Sequence, residues 1–64
     1  MSVAELILQM QTNAMVYDEL IASTRKLVMI ESKNTMLSQN LAALERKRNA
    51  FEAAAAQLQS IANL

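Results

Sequence analysis

Asp18 and Glu19 are the one adjacent pair of carboxylates in the chain, and paired carboxylates are a common basis for general acid–base chemistry. On a helix, neighbours in sequence project about 100° apart, so these two diverge instead of sharing a proton. His and Cys are both absent. That removes the side chain that titrates near neutrality and the thiolate nucleophile. It also excludes disulfides and leaves no imidazole or thiolate to hold zinc, copper or haem. No Ser or Thr has a companion base at a telling spacing. Glycine is missing too, which excludes a glycine-rich phosphate loop. The chain is expected to be non-enzymatic, with no cofactor and no metal.

The other chemistry on offer is electrostatic. Arg46-Lys47-Arg48, with Arg25-Lys26, is the one basic concentration, and such a cluster can neutralise phosphates in a salt-dependent way. Formal net charge is zero, aromatics are limited to Tyr17 and Phe51, and Glu45 and Glu52 flank the cluster. Arg48 can pair along a helix with Glu52 at i+4 and Glu45 at i−3. A solvated, salt-bridged face is the better reading, and nucleic acid is disfavoured as a partner.

These side chains must be positioned by helices. Gly and Pro are both absent, so the usual turn punctuation is missing. Strong helix formers dominate, and no sustained alternation suggests a strand. The fold class is all-α, as an antiparallel helical hairpin or one long coiled-coil helix, assembled into a helical oligomer or bundle. As a single helical unit over 1–64, it is expected to form a helix over about 3–31 and another over about 36–63. The least helical stretch, Glu31-Ser32-Lys33-Asn34-Thr35, marks a turn near 32–35, since Ser, Asn and Thr cap helix ends.

Counting sevens from Leu6 aligns Leu6, Asn13, Leu20, Leu27, Asn34, Leu41, Arg48 and Ala55 with a companion series. That series includes Gln9, Val16, Ser23, Ile30, Leu37, Leu44, Phe51 and Leu58. Sustained 3-4 spacing is the coiled-coil signature. The second half is clean: Leu37, Leu41, Leu44, Phe51, Ala55, Leu58 and Ala62 fall in one stripe that suits one neighbour. In the first half, Leu6, Ile7, Leu8, Met10, Met15, Val16, Tyr17, Leu20 and Ile21 point in nearly every direction. Leu27, Val28 and Ile30 continue that surface towards the turn. A helix apolar all round is buried on several sides, so the N-terminal half is expected to be the inner element of an assembly.

Asn13 and Asn34 share a frame position, where a buried Asn can set register. The plainer reading puts Asn34 in the turn and Asn13 on an exposed edge. Only Ala55 of the run Ala53–Ala56 lies in the stripe, so a close helix approach is expected there alone. The five Met residues suit an adaptable groove or ordinary core filling.

Charge favours the hairpin over the long helix, which would extend roughly 95 Å at 1.5 Å per residue. Residues 1–24 carry Glu5, Asp18 and Glu19 with no Lys or Arg, whereas Arg25, Lys26, Lys33, Arg46, Lys47 and Arg48 all follow. Folding back near Lys33 brings Asp18 and Glu19 alongside Lys47 and Arg48, and an antiparallel pairing of two straight chains would bring the same charges together.

A chain of 64 residues with a 53% apolar fraction is too short to hide that surface alone, and with no disulfide or metal it must associate. The expected partner is protein, as a homo-oligomer or an obligate partner. No run approaches the ~20 apolar residues of a membrane span. No basic start with an apolar h-region marks a signal peptide, so a cytoplasmic location or one within a protein assembly is expected. The function that fits is structural assembly or protein–protein interaction, through self-association of the N-terminal half. Two alternatives are a small helical chaperone or adaptor, export-chaperone-like, that covers a partner's amphipathic helix, and a small virus or phage structural subunit.

Overall fold

In a computed structural model describing residues 1–64, the chain is an antiparallel hairpin of two helices, α1 (Val3–Ile30) and α2 (Thr35–Ala62). They pack along their full length into a rod with Cα extents of 48 × 14 × 14 Å. The continuous helix is thereby excluded.

Each helix starts on a polar cap. Ser2 Oγ accepts from the Glu5 N–H at 3.1 Å and donates to Glu5 Oε1 at 3.2 Å, which satisfies one of the free donors of the first turn. Asn34 does the same for α2: its Oδ1 accepts from the Leu37 N–H at 3.3 Å. Between them, the Glu31 N–H donates to the Leu27 carbonyl at 2.8 Å, and the Asn34 N–H donates to the Glu31 carbonyl at 3.0 Å. Asn34 is therefore a turn and cap residue, as its side chain suggests. The turn needs no left-handed residue, since no φ in the chain is positive, and this is how it forms without glycine.

The stripe expected on α2 is the one that faces α1. Leu37, Leu41, Leu44, Phe51 and Leu58 are half-buried, and Ala55 is buried. Arg48 shares this stripe and is half-buried with its guanidinium directed to one side.

On α1 the facing residues are Ile7, Met10, Ala14, Tyr17, Ile21, Thr24 and Val28, of which Ala14 and Ile21 are buried and the rest half-buried. This is an unbroken 3-4 series, one residue later than the frame counted from Leu6. The shared frame holds for α2 and fails for α1, because a seven-residue count keeps its phase only within one continuous helix. The turn at Glu31–Asn34 resets it. Asn13 and Ser23 consequently lie on the surface. Thr24 fits the seam because its hydroxyl is satisfied locally, donating to the Leu20 carbonyl at 2.8 Å. The core centre is narrow because Ala14 and Ala55 are small, and Tyr17 and Phe51 stack beside it with ring centroids 5.6 Å apart.

Candidate interaction surface

The residue after a seam position and the residue before it lie on opposite flanks of a helix, about 100° to either side. That rule gives the rod two unlike long sides.

One side is ionic. Asp18 and Arg25 follow the seam residues Tyr17 and Thr24, and Glu45 and Glu52 follow Leu44 and Phe51. Arg48 Nε donates to Asp18 Oδ1 at 2.9 Å, and a second guanidinium nitrogen, Nη2, lies 3.4 Å from Glu52 Oε1. Arg25 Nη2 lies 3.4 Å from Glu45 Oε1. A cleft of about 360 Å³ runs among Asp18, Ile21, Arg25, Glu45, Arg48 and Asn49. The Arg48–Glu52 pair and the Asp18–Arg48 approach match the charge pattern of the sequence. Glu45 differs, pairing across the hairpin with Arg25 instead of along α2 with Arg48. Two of the five residues of the basic concentration, Arg25 and Arg48, are thus committed to carboxylates of their own chain.

The opposite side carries the larger apolar clefts, with the polar Gln9, Asn13 and Ser23 of α1 and Asn40 and Gln57 of α2 spaced among its apolar residues. Leu6, Leu20 and Leu27 precede the seam on α1, and Lys47, Ala54 and Ile61 precede it on α2. Between the helices lies a cleft of about 430 Å³ lined by Met10, Tyr17, Lys47, Ala50, Phe51 and Ala54. A neighbouring cleft of about 300 Å³, against Thr24, Leu37, Asn40, Ala43 and Leu44, shares Lys47 with it. Lys47 is the one charged residue lining this pair of clefts.

The expected interaction residues divide between two roles. Ile7, Met10, Tyr17, Ile21, Val28, Leu37, Leu41, Leu44, Phe51 and Leu58 are consumed, wholly or in part, by the hairpin itself. Val16, Leu20, Leu27 and Ile30 stay between 46% and 79% exposed, and Leu6 is half-buried beside them. These are the residues the hairpin leaves free for another surface. A further exposed line, Leu8, Met15 and Met29, follows the seam residues Ile7, Ala14 and Val28 and so lies on the same side of α1 as the ion pairs. The polar series Glu5, Thr12, Glu19 and Lys26 separates it from the Leu20–Leu27 stripe. On α2, by contrast, the outward positions are small or polar, including Ala42, Arg46, Asn49, Ala53 and Ala56, and Met36 and Ile61 are its large exposed apolar residues.

Ala43 and Ala50 line these clefts unexpectedly, and Ala54, which lies outside the α2 stripe, lines one as well. Their signal was their position before the α2 stripe, next to residues large on α1 and small on α2. No group of three His, Cys, Asp or Glu side chains converges as a metal site would require, and no helix is long and apolar enough to cross a membrane. No known protein family, characterised protein or solved structure matches the chain.

Proposed function

We propose that the chain is a non-enzymatic helical interaction protein that self-associates through the apolar side of its hairpin. One observation carries this reading: Val16, Leu20 and Leu27 stand about half exposed at helical spacing beside an apolar cleft. Folding alone buries Ala14, Ile21 and Ala55 and no other residue. A scaffold below about 70 residues rarely gains more than ~3–5 kcal/mol from one core, so a second layer of burial is the available source of further stability. Assembly or structural work needs no chemistry beyond such a face.

Light scattering of the purified chain across a range of concentrations tests the reading. A defined homo-oligomer supports it, and a fully helical monomer at every concentration overturns it. A second reading, an escort for a partner's amphipathic helix, draws on the cleft against Met10, Tyr17, Ala50, Phe51 and Ala54. A monomer of low helicity that becomes helical on adding a partner would favour the escort.

A further inference from the structure

The apolar side is not uniform: it is large on one helix and small on the other. α1 raises Val16, Leu20 and Leu27, whereas α2 offers Ala43, Ala50 and Ala54 along the two clefts. Two such sides can meet in two symmetric ways. If α1 lies on α1 of the second copy, large residues crowd large ones and the alanines face each other across a gap. If α1 lies on α2 of the second copy, large side chains enter the shallow trough on both halves of the contact, which is the arrangement close packing favours.

Charge points the same way. Glu19, Arg46 and Lys47 form no ion pair within the hairpin, whose ion pairs involve Asp18, Arg25, Glu45, Arg48 and Glu52. The contacts Tyr17–Phe51 and Asp18–Arg48 set the level of α1 against α2, and they put Glu19 level with Arg46 and Lys47. Glu19 flanks the large stripe, and Arg46 and Lys47 flank the trough. Laying α1 on a second copy's α2 at that same level brings opposite charges together. The α1-on-α1 alternative sets Glu19 facing away from any cation at its own level. The area is also sufficient, because one long side of the rod with Cα extents of 48 Å by 14 Å offers roughly 700 Å² before side chains are counted, near the ~800 Å² each partner of a standard interface buries.

We infer that a second copy of this chain occupies the apolar side, with each α1 laid in the alanine trough of the other copy's α2. The product is a two-fold four-helix bundle with every neighbouring pair of helices antiparallel and the two copies of α1 on a diagonal. The inference rests on the self-association proposed above and adds its geometry. Lys47 sits over the trough with its stem on apolar surface and its ammonium at the rim, within reach of Glu19 of the second copy.

The chain has no cysteine, so introduced thiols report proximity cleanly. Val16→Cys chains are mixed with Ala50→Cys chains, oxidised, and the disulfide products identified by mass, alongside light scattering. The expected result is a dimer in which the mixed Val16→Cys/Ala50→Cys product dominates. In the same assay Glu19→Lys weakens dimerisation about tenfold, and adding Arg46→Glu with Lys47→Glu restores it. A dimer linked mainly through two Val16→Cys chains overturns the geometry and leaves self-association standing. A chain that stays monomeric overturns both.

Discussion

Asp18 and Arg48 stand 30 positions apart in sequence and meet at 2.9 Å, with the guanidinium Nε donating to a carboxylate oxygen. The same guanidinium lies 3.4 Å from Glu52, so one cation ties α1 to α2 and braces α2 along its own length. Arg48 lies in the middle of an otherwise apolar stripe, and these two carboxylates are what make it tolerable there.

Replacing Arg48 with Ala should lower hairpin stability by about 1 kcal/mol, because the pair is partly exposed and such pairs are worth ~0–1 kcal/mol each. Urea denaturation followed by circular dichroism reads the change. The difference between the variant and the parent should shrink as salt is raised from about 0.05 M to about 1 M, since the Debye length falls to ~3 Å. Replacing Arg48 with Met should restore stability at high salt, since it returns apolar volume to the stripe. An unchanged gap across the salt series would show that packing of the arginine stem, not the ion pair, carries the effect.

Ile21 and Leu20 are neighbours with opposite duties. Ile21 is 5% exposed in the seam, and Leu20 is 47% exposed on the apolar side. Ile21→Ala should cost about 2–4 kcal/mol of folding stability at every protein concentration. Leu20→Ala should cost less than about 1 kcal/mol at concentrations below association and should shift the concentration dependence instead. Equal losses at both positions would mean that α1 is turned one residue back, onto the frame counted from Leu6.

Asn34 caps α2 through the Leu37 N–H. Asn34→Ala should destabilise by about 1 kcal/mol, whereas Asn34→Asp, which keeps an acceptor oxygen at the helix N-terminus, should be close to neutral. Thermal denaturation of the three chains decides it, and an alanine variant as stable as the parent would show that the turn is held by packing alone.

The two helices, the turn at Asn34, the inward stripe of α2 and the Asp18–Arg48 approach were all legible in the sequence, each from a clear physical signal. Absent Gly and Pro removed other elements, one side of α2 was cleanly apolar, and the charges were segregated along the chain. The inward face of α1 was not legible. Large apolar residues occur at nearly every angle of that helix, so the largest ones do not mark the seam. Its centre is Ala14, and Thr24 completes it. A small residue that permits close approach and a hydroxyl satisfied by its own helix both look like surface when only size and polarity are weighed. The apolar side was half legible: Leu20 and Leu27 were visible as sticky, but Ala43 and Ala50, which line the clefts on α2, were not.

The turn carries one more consequence. Glu31 has φ −117° and ψ 61°, Asn34 has φ −81° and ψ 96°, and no residue between the helices needs a backbone conformation denied to L-amino acids. Straightening the hinge therefore releases no strain and meets no proline lock; its cost is the loss of the α1–α2 seam and the Asn34 cap. The four residues of the hinge therefore permit the reversal of the chain without enforcing it, and what keeps the hairpin closed is the pairing of the two helices that the hinge joins.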